Sequence, residues 1–135
     1  MTTKKKRKRV DPRKSADYLI VARQFHRAAL DSLVFEYWTA ASLLMVHAAI
    51  AYADAVMIRH AGEKSIGDDH EDAIDALGDV IGSSPEALTA LKHLRRIVEQ
   101  KNKVAYMGES YTPQQARSLA KHLDGLAVWA NNILQ

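Results

Sequence analysis

The sequence predicts an all-α protein, an up-and-down four-helix bundle with one additional short helix. Three observations carry this expectation. Apolar residues recur at three- and four-residue spacing along most of the chain, and no stretch alternates polar with apolar as a half-buried strand does. Stop and cap signals at Gly62, at Gly82-Ser83-Ser84-Pro85-Glu86 and at Thr112-Pro113 then cut the periodic stretches into separate helices.

Taken in order, residues 1–14 combine like charges with Pro12 and lack apolar periodicity, which predicts a disordered basic arm. The domain, 15–135, opens at Lys14 or Ser15 with an amphipathic helix. Its residues Tyr18, Ala22, Phe25, Ala29 and Leu33 share a face, with Arg23, His26 and Arg27 opposite. After a corner near Phe35-Glu36, the second helix is apolar almost all round, as expected of an element contacted on several sides, and ends at Arg59-His60-Ala61-Gly62. Asp68-Asp69-His70-Glu71 suits the positive end of a shorter third helix that reaches about Val80. Ser83 and Glu86 stand at capping-box spacing before a fourth helix that runs to about Tyr106. Thr112-Pro113-Gln114-Gln115 repeats the cap logic before a last helix carrying Leu119, Leu123, Leu126, Ala130 and Ile133 on one face.

Composition narrows the functional classes. With no cysteine among 135 residues, disulfide frameworks, thiolate nucleophiles and Cys-based zinc sites are excluded, and a reducing cytoplasm is the expected compartment. The only stretch resembling a membrane span, Tyr37 to Ile58, is rich in alanine and carries His47 and Asp54. A mid-helix Asp costs about 3 kcal/mol in lipid, so a buried central helix is expected. No apolar run follows the early charges, so export is not expected. Of 19 Lys/Arg and 16 Asp/Glu, residues 1–14 hold eight basic and one acidic, leaving eleven and fifteen: the domain carries about −4 beneath a basic arm. Lys4, Lys5, Lys6, Arg7, Lys8 and Arg9 form a charge run that serves equally as a nonspecific nucleic-acid contact or as a solubilising tail.

Polar residues on otherwise apolar stripes are the candidates for chemistry. Lys101 continues the stripe Ala90, Leu94 and Ile97, while His47 and Asp54 sit two turns apart on the stripe Leu43, Ile50 and Met57. Asp54 paired with Lys101 or Arg95 would satisfy both helices, either as a structural pair that fixes register or as part of a polar pocket or dimer seam. Asp68, Asp69, His70 and Glu71 lack any metal-binding spacing, so neither metal nor cofactor is expected.

The run Lys101-Asn102-Lys103-Val104-Ala105-Tyr106, with the alanine-rich passage from Tyr37 to Ala55, resembles the HEPN family of small helical bundles. The family's ribonuclease signature has Arg, a polar residue such as Asn, three more residues and then His. The resemblance covers most of residues 15–134 and places Lys101 at the family's Arg, Asn102 at its polar neighbour and Tyr106 at its His. It implies frequent homodimers and a site near the dimer interface, with Lys101 and Tyr106 as the catalytic candidates and Lys101, Asn102, Tyr106, Arg95, His47 and Asp54 as the binding candidates. Lysine holds a phosphate as a point charge without the planar fork of arginine. A phenol of ordinary pKa near 10 is ionised in about one molecule per thousand at pH 7, which makes a poor base but a serviceable hydrogen-bond donor or stacking surface. The expectation is therefore a homodimeric binding or regulatory module for RNA or a nucleotide, without efficient cleavage. Two alternatives stay open: an active metal-independent ribonuclease of toxin type, and a structural partner of a minimal nucleotidyltransferase.

Overall fold

Eight elements follow one another in a computed structural model that describes residues 7–66, 70–101 and 110–135. A short strand β1 (Arg7–Arg9) and a 3-10 turn (Pro12–Lys14) lead into α1 (Ser15–Val34) and α2 (Trp38–Ala61). A second strand β2 (Glu63–Ser65) precedes α3 (His70–Ile81), α4 (Pro85–Val98) and the last helix, α5 (Pro113–Ile133). The described chain is thus predominantly helical, with one two-stranded ribbon.

Small side chains on α2 decide how these elements meet. Ala41, Ala48, Ala49 and Ala55 have no residual exposure, and Ala51 and Ala53 are buried among Met45, Val46, Tyr52, Val56 and Met57. A helix surfaced with methyl groups lets neighbours approach closely, and α2 touches α1, α3, α4, α5 and β2. It is the one described helix long and apolar enough to cross a membrane, and most of it is buried inside the fold.

The corner into α2 is tight. Glu36 takes the left-handed conformation (φ 64°) while the Tyr37 amide donates to the Ser32 carbonyl at 2.9 Å. A non-glycine residue there costs on the order of 1–2 kcal/mol, which the packing of α1 along α2 offsets. At its other end α2 stops on Gly62, also left-handed (φ 64°), as its Arg59-His60-Ala61-Gly62 ending predicts. The cap of α4 falls on Ser84, whose hydroxyl accepts from the Ala87 amide at 3.1 Å, one residue later than the spacing of Ser83 and Glu86 implied. Pro85 is the reason, because proline at the first helical position makes the preceding residue the cap. At α5, Thr112 and Gln115 form the reciprocal capping box, with bonds of 3.1 and 2.9 Å.

Two expectations change. The free basic arm over 1–14 meets an ordered segment from residue 7 onward, because β1 pairs antiparallel with β2, Arg7 opposite Ser65 and Arg9 opposite Glu63. Arg7 donates to Glu63 at 2.8 Å and to Asp79 of α3 at 2.7 Å, so Arg7, Lys8 and Arg9 belong to a clasp across the body. Lys4, Lys5 and Lys6 lie outside the described residues. The fourth helix ends at Val98 with a turn at Glu99-Gln100, short of the expected Tyr106, and Lys101 follows that turn.

Overfilling the α2 seam tests its role. Ala48→Leu is expected to destabilise the protein by about 1–3 kcal/mol, through forced shifts of α1 or its other neighbours. Ala40→Leu, at an exposed position on the same helix, should leave the thermal midpoint within a degree or two. Equal midpoints for the two variants in a calorimetric scan would contradict the close-packed seam.

Candidate functional site

Helices α4 and α5 are amphipathic partners whose apolar faces, Ala87, Ala90, Leu94 and Ile97 against Leu119, Leu123, Leu126 and Ala130, enter the core. Their outer faces leave a furrow. Residues 92–100 line one hollow opposite 115–122, and residues 85–93 line a second opposite 125–132, so the two helices run antiparallel with both hollows on the same side of the pair. On each helix the lining residues recur every three or four positions, which keeps them on one side.

The half toward the start of α5 is a cavity of about 490 Å³ lined by Lys92, Arg96, Gln100, Tyr111, Gln115, Ser118, Leu119 and His122. Among the described residues no carboxylate is in that lining, on a domain whose net charge is negative. Tyr111 anchors the end of the channel: its amide donates to Thr39 Oγ1 at 2.9 Å and its hydroxyl bonds Gln100. The other half, about 400 Å³, is walled by Ala90, Gly125, Val128 and Trp129, with Glu86, Thr89 and Asn132 at its edge.

Two histidines stand between the halves. His93 Nδ1 and His122 Nδ1 are 3.0 Å apart, the rings tilted by 58° with centroids at 5.2 Å. One nitrogen must carry the proton and the other accept, so the contact requires at least one of the two rings to be neutral. Partial burial lowers the pKa of His93, aided by Lys92, and burial lowers that of His122, aided by His93, Arg96 and Lys92. Gly125 is what admits the pair, because a Cβ there would lie 2.5 Å from His93 Nε2. With His93 turned onto α5 in this way, His122 is the imidazole that lines the cationic half.

The residues singled out from sequence scatter instead of converging. Arg95 donates to Glu71 at 2.6 Å and ties α4 to α3, so it does not pair with Asp54. His47, expected on a buried stripe, is exposed and stacked on Phe25 with centroids 5.4 Å apart. Asp54 is half-buried and faces the charge of Lys64, whose ammonium also lies over the Tyr18 ring at 5.0 Å. Lys101 is half-buried after the turn that ends α4, while Asn102 and Tyr106 lie outside the described residues. Lys92, Arg96, His93, His122 and Trp129 were not among the sequence candidates, and the only signal for them was a polar stripe opposite each apolar one.

A further polar chain is structural. Tyr52, almost fully buried, meets His26 Nδ1 at 2.9 Å, and His26 Nε2 meets Asp124 at 3.2 Å, which ties α1, α2 and α5 together. Burial raises the pKa of Tyr52, keeping its hydroxyl protonated to donate into the chain. Among the described residues no group of three or more His, Asp or Glu is arranged to hold a metal ion. Comparison of the chain with family models, with curated proteins and with solved structures found no match.

Asp54 sets a pH dependence. Burial pushes its pKa up from 3.8 to about 7, against the opposing pull of Lys64. A carboxyl whose folded pKa is raised gives its stabilisation below the unfolded value and loses it as pH climbs through the folded one. Between about pH 4 and 7 the native protein should therefore weaken relative to Asp54→Asn, by a few kcal/mol at the upper end. Thermal midpoints of the two proteins should coincide near pH 3.5 and diverge by pH 8, with the Asn variant higher; a constant difference would refute the assignment.

Proposed function

We propose that this chain is a HEPN-like helical binding module that takes a phosphate-bearing ligand, a nucleotide or an RNA segment, in the cationic half of the α4–α5 furrow, without efficient cleavage. The observation that carries the reading is the lining itself: Lys92 and Arg96, a histidine, amides and hydroxyls, and no acid among its described residues, on an acidic domain. Cations and hydrogen-bond donors converging on a concavity without a competing carboxylate are what a phosphate requires. The HEPN assignment rests on the sequence resemblance, supported by a helical chain with an alanine-rich α2 and by the position of Lys101 just beyond α4.

One observation favours the ribonuclease alternative. His122, whose pKa is lowered by burial and by the charges of His93, Arg96 and Lys92, offers an imidazole next to cations. It stands without a matched acid in the lining, since His93 is turned onto Gly125, and strand scission needs a proton given as well as one taken. Binding is the better use of this geometry.

Titration with tripolyphosphate at low salt tests the reading. The wild type should bind in a salt-sensitive manner, and Lys92→Ala with Arg96→Ala, both at exposed positions, should weaken binding about tenfold or more while helicity is unchanged. Labelled RNA in the same buffer without metal should stay intact. Unaltered affinity in the double variant would overturn the site, and RNA cleavage abolished by His122→Ala or Lys101→Ala would establish the ribonuclease instead.

A further inference from the structure

The furrow does not end where the cations do. Past the His93–His122 contact the same faces of α4 and α5 line a second cavity, walled by Trp129, Val128 and Ala90, where the described residues include no cation other than a protonatable histidine. A phosphate has no use for such a surface; a flat aromatic ring does. We infer that the second half of the furrow is a base-stacking subsite and that the ligand of this protein is a nucleotide laid along α5, its phosphates against Arg96 and Lys92 and its base on Trp129. This rests on the phosphate reading of the first half and names the ligand class for it.

Three features support the inference. The first is spacing: His122 and Trp129 are seven residues apart on one helix face, about 10 Å along the axis at 1.5 Å per residue, which suits a nucleoside with its phosphates rather than a bare phosphate. The second is chemistry at the edge of the cavity. Asn132 offers an amide with both donor and acceptor, and Glu86 offers an acceptor-only carboxylate matched to the exocyclic amino group of adenine, guanine or cytosine. Thr89 is spoken for, because its hydroxyl donates to the Pro85 carbonyl at 2.9 Å. The third is the glycine. Without a Cβ at residue 125, His93 lies down on α5 between the two hollows, bonded to His122, so a ligand that reaches from one hollow to the other passes over the histidine pair.

The carboxylate at one end and the cations at the other also set the direction of the ligand. Glu86 would repel phosphates from the aromatic half, and among the described residues of the first half the one phenol, Tyr111, is buried and bonded to Gln100, while the His122 ring is bonded to His93. Base stacking on an aromatic side chain changes affinity by roughly 1–3 kcal/mol when the ring is removed, and it tolerates different bases because each has a flat face.

Fluorescence separates this inference from the reading it rests on. The chain has two tryptophans, and Trp38 lies under Arg117 at 5.1 Å, so Trp38→Phe leaves Trp129 as the single reporter. ATP should quench Trp129 with saturation, while tripolyphosphate should bind competitively without quenching. Trp129→Leu, which keeps an apolar side chain against the core, should weaken ATP about tenfold and leave tripolyphosphate affinity unchanged. The fluorescence titration needs no change at Trp129, so it stands even where the Leu variant folds poorly. ATP that binds no tighter than tripolyphosphate and leaves the Trp129 signal unchanged would overturn the stacking subsite while preserving the phosphate site. Absence of binding by both would overturn the phosphate site itself. A single-stranded RNA of a few nucleotides, run as a third arm, should quench Trp129 as ATP does; quenching by RNA with none by ATP would move the assignment from a free nucleotide to a strand.

Discussion

Close approach at α2 is the constraint on which the rest of this molecule depends. Bulky side chains on that helix would hold its neighbours apart; alanines at 41, 48, 49 and 55 draw them in. Because α2 packs against α1, α3, α4 and α5, most of its surface is spent on the core, and the grooves between its neighbours are left for a ligand. The α4–α5 furrow is such a groove. Its floor is formed by residues whose other sides complete the core, so the site is as rigid as the packing beneath it.

Electrostatics then separates the furrow from the remaining surface. Several charges on the body are engaged locally: Arg7 with Glu63 and Asp79, Arg95 with Glu71, Arg13 with Asp11. Exposed pairs of this kind contribute little to stability, but they neutralise their surroundings. Lys92 and Arg96 have no acid beside them among the described residues of the furrow, and burial first, then His93, Arg96 and Lys92, lower the pKa of His122. A histidine pair that shares one proton can stand between cations without adding to their repulsion, whereas protonating both rings would remove the contact between α4 and α5 at that point.

The helices were legible because each depends on local rules. Periodicity located α1, α2 and α5, Gly62 ended α2, and Thr112 with Gln115 formed the box their spacing announces. The β1–β2 ribbon was not, since Arg-Lys-Arg and Glu-Lys-Ser carry no apolar alternation and pair through charges far apart in sequence. Site residues were legible in type but not in partnership. Asp54 and Arg95 were recognisable as charges in need of a counterpart, yet the counterparts, Lys64 and Glu71, come from a ribbon and a helix face that no spacing in the sequence brings near. The furrow residues resemble an ordinary solvated helix face until α4 and α5 are laid side by side, and only then does His93 meet His122 across Gly125.

A second cationic hollow, of about 430 Å³, gathers Arg9, Arg59 and His60 where β1 passes the end of α2, and it is the natural rival for an anion. Its position beside the C-terminal end of a helix disfavours anions, while Asp11 stands in its wall. The most direct measurement is therefore a two-dimensional amide NMR titration of the whole chain with ATP. The account predicts saturable shifts concentrated on residues 89–96 and 118–129, with little change around Arg9 and His60. Shifts centred on Arg9, Arg59 and His60, with α4 and α5 unmoved, would contradict it.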